Sequence, residues 1–249
     1  MTAFERVQAA RAKGRATSLD FIRRLFDGFL EMHGDRRFGD DRAIIAGLAT
    51  LGGQPVTVIG IEKGHDARER ALRNFGCAAP EGYRKALRQM RLAEKFGRPV
   101  VCLIDTSGAQ CADGAEERGQ GLAIAENLME MSALRMPIIS LLIGEGGSGG
   151  ALALAVADEV WILENAVYSV ISPEGCASIL WKDGKRAAEA AEALQMTAQD
   201  LLRQGVVDRV LPENDELYDE LKRDLADALA RLKRLSPTEL VNRRYSKYR

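Results

Sequence analysis

At 249 residues, 46% hydrophobic and 29% charged, the chain is long enough for one α/β domain or two small ones with a sizeable core. A net charge of −1 argues against a basic nucleic-acid footprint, so no DNA partner is expected. There is no run of about 18 apolar residues to span a membrane, and Met1–Arg11 lacks the apolar stretch of a secretory leader.

Residues 1–16 are polar and helix-prone, with no evident core face. Thr17 or Ser18 caps a helix predicted from Leu19 to about Met32, with Leu19, Ile22, Leu25, Phe26 and Phe29 on one side. Residues 43–50 and 55–61 flank Gly52-Gly53, a hairpin signal. A helix from Pro80 to Phe96 ends at Gly97. The strand Pro99–Ile104 runs into Asp105-Thr-Ser-Gly-Ala109, and a long helix is predicted over Glu116–Arg135. The strand 138–143 then leads into Gly144-Glu-Gly-Gly-Ser-Gly-Gly150, read as a turn opening a small-residue helix. These two units of strand, turn and helix start about 38 residues apart and suggest a structural repeat of ββα type. Strands at 159–163 and 167–171 and a helix from near Pro173 follow. The rest reads as helical apart from 206–211, and the amphipathic stretch Lys222–Leu235 is expected to pack on the domain or a partner.

The glycine run carries the chemistry. Five glycines in seven positions let a backbone approach a ligand closely, and unpaired N–H groups there can hold an anion or a developing oxyanion. One or two glycines would satisfy close strand–helix packing. Gly144–Gly149 also matches G-x-G-x-x-G, with Glu164 twenty residues on, the form of a dinucleotide site. Against that, Glu145 would place a carboxylate beside a pyrophosphate, and several strands precede the motif. Gly146–Gly150 matches the G-x-S-x-G nucleophile elbow, but that arrangement needs a later histidine, and only His33 and His65 exist. No Gly-Lys-Ser/Thr follows, which excludes a P-loop. Lys63, Arg68, Arg70, Arg73, Arg84, Lys85 and Arg88 form a basic segment, either a solvated face or a site for the phosphates of a coenzyme A-like substrate. Glu116-Glu117-Arg118 suits a helix start. Cys77, Cys102, Cys111 and Cys176 show no CxxC or disulfide pattern, so no metal is expected on this chain and the cytoplasm is the simple location.

Four stretches, Asn74–Arg88, Gly114–Gln120, Ile143–Ala153 and Tyr168–Lys182, closely resemble the α subunits of acetyl-coenzyme A carboxylase carboxyltransferase. The likeness runs from about Thr17 to Pro212 and returns at Leu235–Tyr245. The resemblance implies a crotonase-like α/β fold of repeated ββα units over 17–212, preceded by a polar segment over 1–16 and followed by a helical region over 213–249. It implies an α2β2 assembly with a β subunit that bears any zinc. Its chemistry is transfer of a carboxyl group from carboxybiotin to acetyl-CoA, giving malonyl-CoA for fatty acid synthesis. A biotin carboxyl carrier protein and biotin carboxylase are the further partners. By resemblance Gly146 and Gly147 form the oxyanion hole facing carboxybiotin, and Gly108, Ala109, Gly149, Gly150, Ser172, Glu174, Gly175, Arg73 and Arg84 are the expected substrate contacts.

The chain departs from the family in two places. It lacks the N-terminal helical extension of longer members. Where the family usually reads Asp-Thr-Pro-Gly-Ala-Tyr-Pro-Gly, it has Asp105-Thr-Ser-Gly-Ala-Gln-Cys-Ala112. Two rival readings stay open: a diverged paralogue, non-catalytic or with another acyl-CoA, and a stand-alone crotonase-type hydratase or isomerase using Glu145 and Glu174 as acid and base.

Overall fold

The computed structural model describes residues 1–249. In chain order its elements are α1 (Ala3–Ala10), α2 (Ser18–Leu25), β1 (Asp27–Glu31), β2 (Ile44–Leu51), β3 (Gln54–Ile61), α3 (Ala67–Leu72), α4 (Pro80–Lys95), β4 (Val100–Thr106), α5 (Asp113–Glu117), α6 (Gln120–Ala133) and β5 (Ile138–Gly147). There follow α7 (Ser148–Leu152), β6 (Glu159–Leu163), β7 (Val167–Ser169), α8 (Pro173–Trp181), α9 (Ala187–Leu194), α10 (Ala198–Arg203), β8 (Arg209–Leu211), α11 (Leu217–Leu232) and α12 (Pro237–Lys247).

The strands form one sheet in the order β1-β2-β3-β4-β5-β6-β8, with β7 added to the far end of β5. β1, β2 and β3 are antiparallel, and every pairing from β3 onward is parallel. β4 and β5 are buried at every position, as strands covered on both faces are. The repeat is visible in their register, which pairs Val100 with Ile138 and continues in step to Ile104 and Leu142. The hairpin β2–β3 followed by α4 is the plainest ββα unit.

Four expectations change. The helix from Leu19 stops at Leu25, because Phe26 is already extended and Gly28 takes φ +62; the chain then pairs with β2 as β1. The helix over 116–135 divides at Gly119, φ +84, into α5 and α6. The glycine run is a strand as far as Gly147, and the helix after it has only five residues. Residues 1–16 do have a core face: Ala3, Val7 and Ala10 pack against Val167, Ala191 and Met196.

Candidate active site

β5 bends where its glycines begin. Its first half pairs with β6, and from Glu145 to Gly147 it pairs with β7 instead. On the other side the ladder with β4 slips between Ile104 and Thr106, so that Thr106 faces Gly146. Asp105 occupies the slip. Its Oδ1 accepts the N–H of Glu145 at 2.8 Å and pairs with Lys63 Nζ at 2.5 Å.

The glycines at 144, 146, 147 and 150 are there because side chains or another stretch of backbone lie directly on them. A Cβ on Gly144 would sit 2.3 Å from Asp105 Oδ1, one on Gly147 would sit 2.1 Å from the Ser107 carbonyl oxygen, and one on Gly150 would sit 2.4 Å from the Ala109 nitrogen. Gly146 is closed by Leu142 and the Tyr168 ring. The turn itself is braced by Thr106, whose Oγ1 donates to the Gly108 carbonyl at 2.7 Å and accepts the Gly108 N–H at 3.0 Å. Tyr83 Oη, held neutral by burial, donates to the Gly150 carbonyl at 3.2 Å. Gly146 and Gly147 are buried, and the run opens at Ser148 and Gly149, beside Gly108 with nothing within 4 Å of its Cβ position. From this ledge an open groove of about 470 Å³ runs over Leu152, Tyr168, Val170, Leu194 and Leu201.

The opposite flank of the strand is held by the N-terminal segment. Arg11 makes two hydrogen bonds to the buried Glu145 carboxylate, at 2.9 and 2.6 Å, and a third to Glu174 at 2.8 Å. Partial burial works against charge on Glu174, but its own backbone N–H and Arg11 hold the carboxyl below its ordinary value. Arg15 donates to the Ile143 carbonyl at 2.8 Å and forms a forked pair with Glu213 at 3.0 and 2.9 Å. Sequence reading missed both arginines, because their partners lie more than a hundred residues away.

The structure thus brings together Gly108, Ala109, Gly146, Gly147, Gly149 and Gly150. Ser172, Glu174 and Gly175 form the start of α8, where Ser172 Oγ accepts the Gly175 N–H at 3.1 Å, and Arg11 ties Glu174 to the glycine strand. Arg73 and Arg84 are not brought to it. Arg73 donates to the Arg42 carbonyl at 2.9 Å. Arg84, its side chain 10% exposed, is taken up by Asp35, Glu81 and the Arg118 carbonyl. The basic segment is therefore no single phosphate site: Lys63 answers Asp105 and the buried Lys85 answers Asp40.

Several chemistries drop out. Ser148 has the strained φ of +50 expected of an elbow. Yet His33 sits with Glu31 and Asp40, and His65 with Asp20, so neither serves it as base. Glu164 accepts the Glu213 N–H at 2.9 Å instead of a ribose hydroxyl, and the glycines continue a strand where a dinucleotide site needs a turn. What remains is backbone N–H chemistry on a bent strand beside an apolar groove.

The fold is shared with solved structures. Transcarboxylase 12S with methylmalonyl-coenzyme A bound superposes with a TM-score of 0.75 at 20% identity, over 90% of this chain and 42% of that one. A chain of a Pseudomonas malonate decarboxylase hetero-tetramer in complex with coenzyme A gives 0.70 at 20% identity, over 87% and 89%. The architecture is the crotonase-like α/β fold. The model of the family "Acetyl co-enzyme A carboxylase carboxyltransferase-like" matches residues 1–249. The acetyl-coenzyme A carboxylase carboxyl transferase subunit alpha of Ruminiclostridium cellulolyticum is 62% identical over 252 residues, covering 100% of this chain and 97% of the relative. The chain belongs to the family of acetyl-CoA carboxylase carboxyltransferase α subunits.

Proposed function

We propose that the chain is the α half of a carboxyltransferase that moves a carboxyl group from carboxybiotin, borne by a biotin carboxyl carrier protein, to acetyl-CoA. The product is malonyl-CoA, for fatty acid synthesis, and biotin carboxylase recharges the carrier. The observation that carries this reading is the glycine strand itself: it runs beneath an open ledge and groove, and Ser148 at its edge has no histidine to act as its base.

The ledge suits biotin. Gly108 and Gly149 leave room at the edge of the groove, and Leu152, Tyr168 and Val170 offer an apolar wall for a flat ring system. When docked, biotin supplies the carboxyl group and a ring nitrogen able to take the acetyl proton. The N–H groups of Gly146 and Gly147 hold the ureido oxygen as negative charge gathers there; removing one such donor typically costs about 10²–10³ in rate. Asp105 and Lys63 on one side and Arg11 on the other keep the strand from shifting. The β subunit contributes the hole for the acetyl oxyanion and carries any zinc, in an α2β2 assembly.

Glu145 and Glu174 speak against a stand-alone hydratase, since both carboxylates are already engaged by the one guanidinium of Arg11. The test is malonyl-CoA formation from acetyl-CoA and carboxybiotin, by this chain alone and with its β partner. Activity only in the mixture is expected. No complex with the β partner would return the reading to the stand-alone hydratase or isomerase, and a complex without turnover would point to the diverged paralogue.

A further inference from the structure

α4 has two working faces. Tyr83 faces inward to Gly150. On the outer side, Arg84, Arg88, Arg91 and Lys95, with Arg36 and Arg37 of the loop before β2, line a groove of about 370 Å³. The only acids on its wall are Asp35 and Glu126. Both are committed, Asp35 to Arg84 at 2.8 Å and Glu126 to Arg37 at 3.5 Å.

Two of the cations are left facing each other. Arg36 Nη1 and Arg88 Nη2 both donate to the same His33 carbonyl, each at 3.0 Å, and Arg88 Nε donates to the Gly34 carbonyl at 3.0 Å. The loop acids turn elsewhere, Asp35 to Arg84 and Asp40 to the buried Lys85 at 2.6 Å. Burial first and then the charge of Arg36 lower the pKa of Arg88, and Asp35 and Asp40 offset this only in part. Arg36 is moreover held at φ +65, an unfavourable backbone for a residue with a Cβ. The loop is stiff: the fully buried Asp35 carboxylate accepts the N–H groups of Arg37, Phe38 and Gly39 at 2.9, 2.8 and 3.0 Å. A solvated cationic helix face would spread its charges, whereas here a preorganised loop presses two guanidinium groups together.

The geometry points to a second binding site, formed by Arg36 and Arg88 with Lys95 and Arg37 at its rim, for a small phosphate-bearing anion. Paired guanidinium forks match the oxygens of a phosphate, and its charge removes the repulsion between them. The site lies on the face of α4 turned away from Tyr83 and the glycine strand, so its occupant is not the reacting group. The phosphate has two sources, a free anion such as pyrophosphate or the nucleotide end of coenzyme A.

The test titrates the full chain, alone and with its β partner, with pyrophosphate against sodium chloride of matched ionic strength, read by calorimetry and thermal unfolding. Saturable binding is expected, weakened about tenfold or more in Arg88→Gln. Arg36→Gly removes the guanidinium while suiting the left-handed backbone, so it separates lost binding from lost folding and should show the same weakening. Arg91→Gln, whose parent side chain already pairs with Glu130, should bind nearly as the parent does. If coenzyme A binds more tightly than its 3′-dephospho form, and Arg36→Gly abolishes the difference, the substrate supplies the phosphate. If the two forms bind alike while pyrophosphate saturates, the ligand is a free anion. Equal stabilisation by chloride, or pyrophosphate affinity unchanged in both Arg36→Gly and Arg88→Gln, would overturn the site.

Discussion

Substitutions along the glycine run divide by what lies over each position. Gly147→Ala would place a methyl 2.1 Å from the Ser107 carbonyl. Overpacking of this kind typically costs about 1–3 kcal/mol, so activity lost in Gly147→Ala or Gly147→Pro mixes catalysis with a displaced turn. Gly149→Ala is cleaner: its new Cβ meets only Ile124, at 3.7 Å. We expect parent-like denaturant unfolding and reduced carboxyl transfer from Gly149→Ala, because the methyl narrows the ledge. Ser148→Ala should keep substantial activity, and its loss in a folded variant would revive covalent catalysis. The thiols give a further residue-level test. Cys111 is exposed, whereas Cys102 is fully buried and its thiol is pushed up to about 12 by burial. Alkylation followed by mass spectrometry should modify Cys111 first and leave Cys102 untouched until the chain unfolds.

At the scale of elements, α1 matters more than its length suggests, since the segment behind it grips the glycine strand. Arg11→Gln would leave Glu145 buried beside a lost partner, which typically costs about 3 kcal/mol or more. The added change Glu145→Gln should restore part of that loss, measured as a double-mutant cycle in urea. The loop before β2 responds to acid. Burial alone would raise the Asp35 pKa, but three backbone N–H groups and Arg84 more than offset it and hold the carboxyl at about 2. The folded state therefore binds fewer protons than the unfolded chain, whose aspartate titrates near 3.9. This stabilisation, ~2 kcal/mol, is full above about pH 4 and disappears as pH falls through about 2. Asp35→Asn should flatten that part of the stability–pH curve.

For the whole molecule, the closing contact is Arg244 of α12. Fully buried, it meets both oxygens of Asp158 at 2.9 and 2.8 Å and caps the end of α6 through the Met131 and Leu134 carbonyls, each at 2.7 Å. Removing it strands a buried carboxylate and several carbonyls, so Arg244→Ala should lower stability by about 3–5 kcal/mol, seen as a lower urea midpoint with an unchanged slope. Much of this architecture is legible in the sequence. Buried strands such as Val100–Ile104 are unbroken apolar runs, and the 38-residue spacing of β4 and β5 reappears as their pairing register. What stays hidden is long-range. Arg11 and Arg15 look like surface charges until β5 is beside them, and Arg84 looks free until Asp35 folds under it. The phase of a helix also misleads where a single glycine such as Gly28 reverses the backbone.

The turn laid over the glycine run has one further consequence. The backbone of Ser107–Ala109 is fixed by contact with Gly147 and Gly150, but the side chains of Ser107, Cys111 and Ala112 point into solvent. Mutational drift there is channelled: it can repaint the rim of the candidate site while the path of the chain over the glycine strand is inherited unchanged. Selectivity and turnover can then evolve on separate schedules.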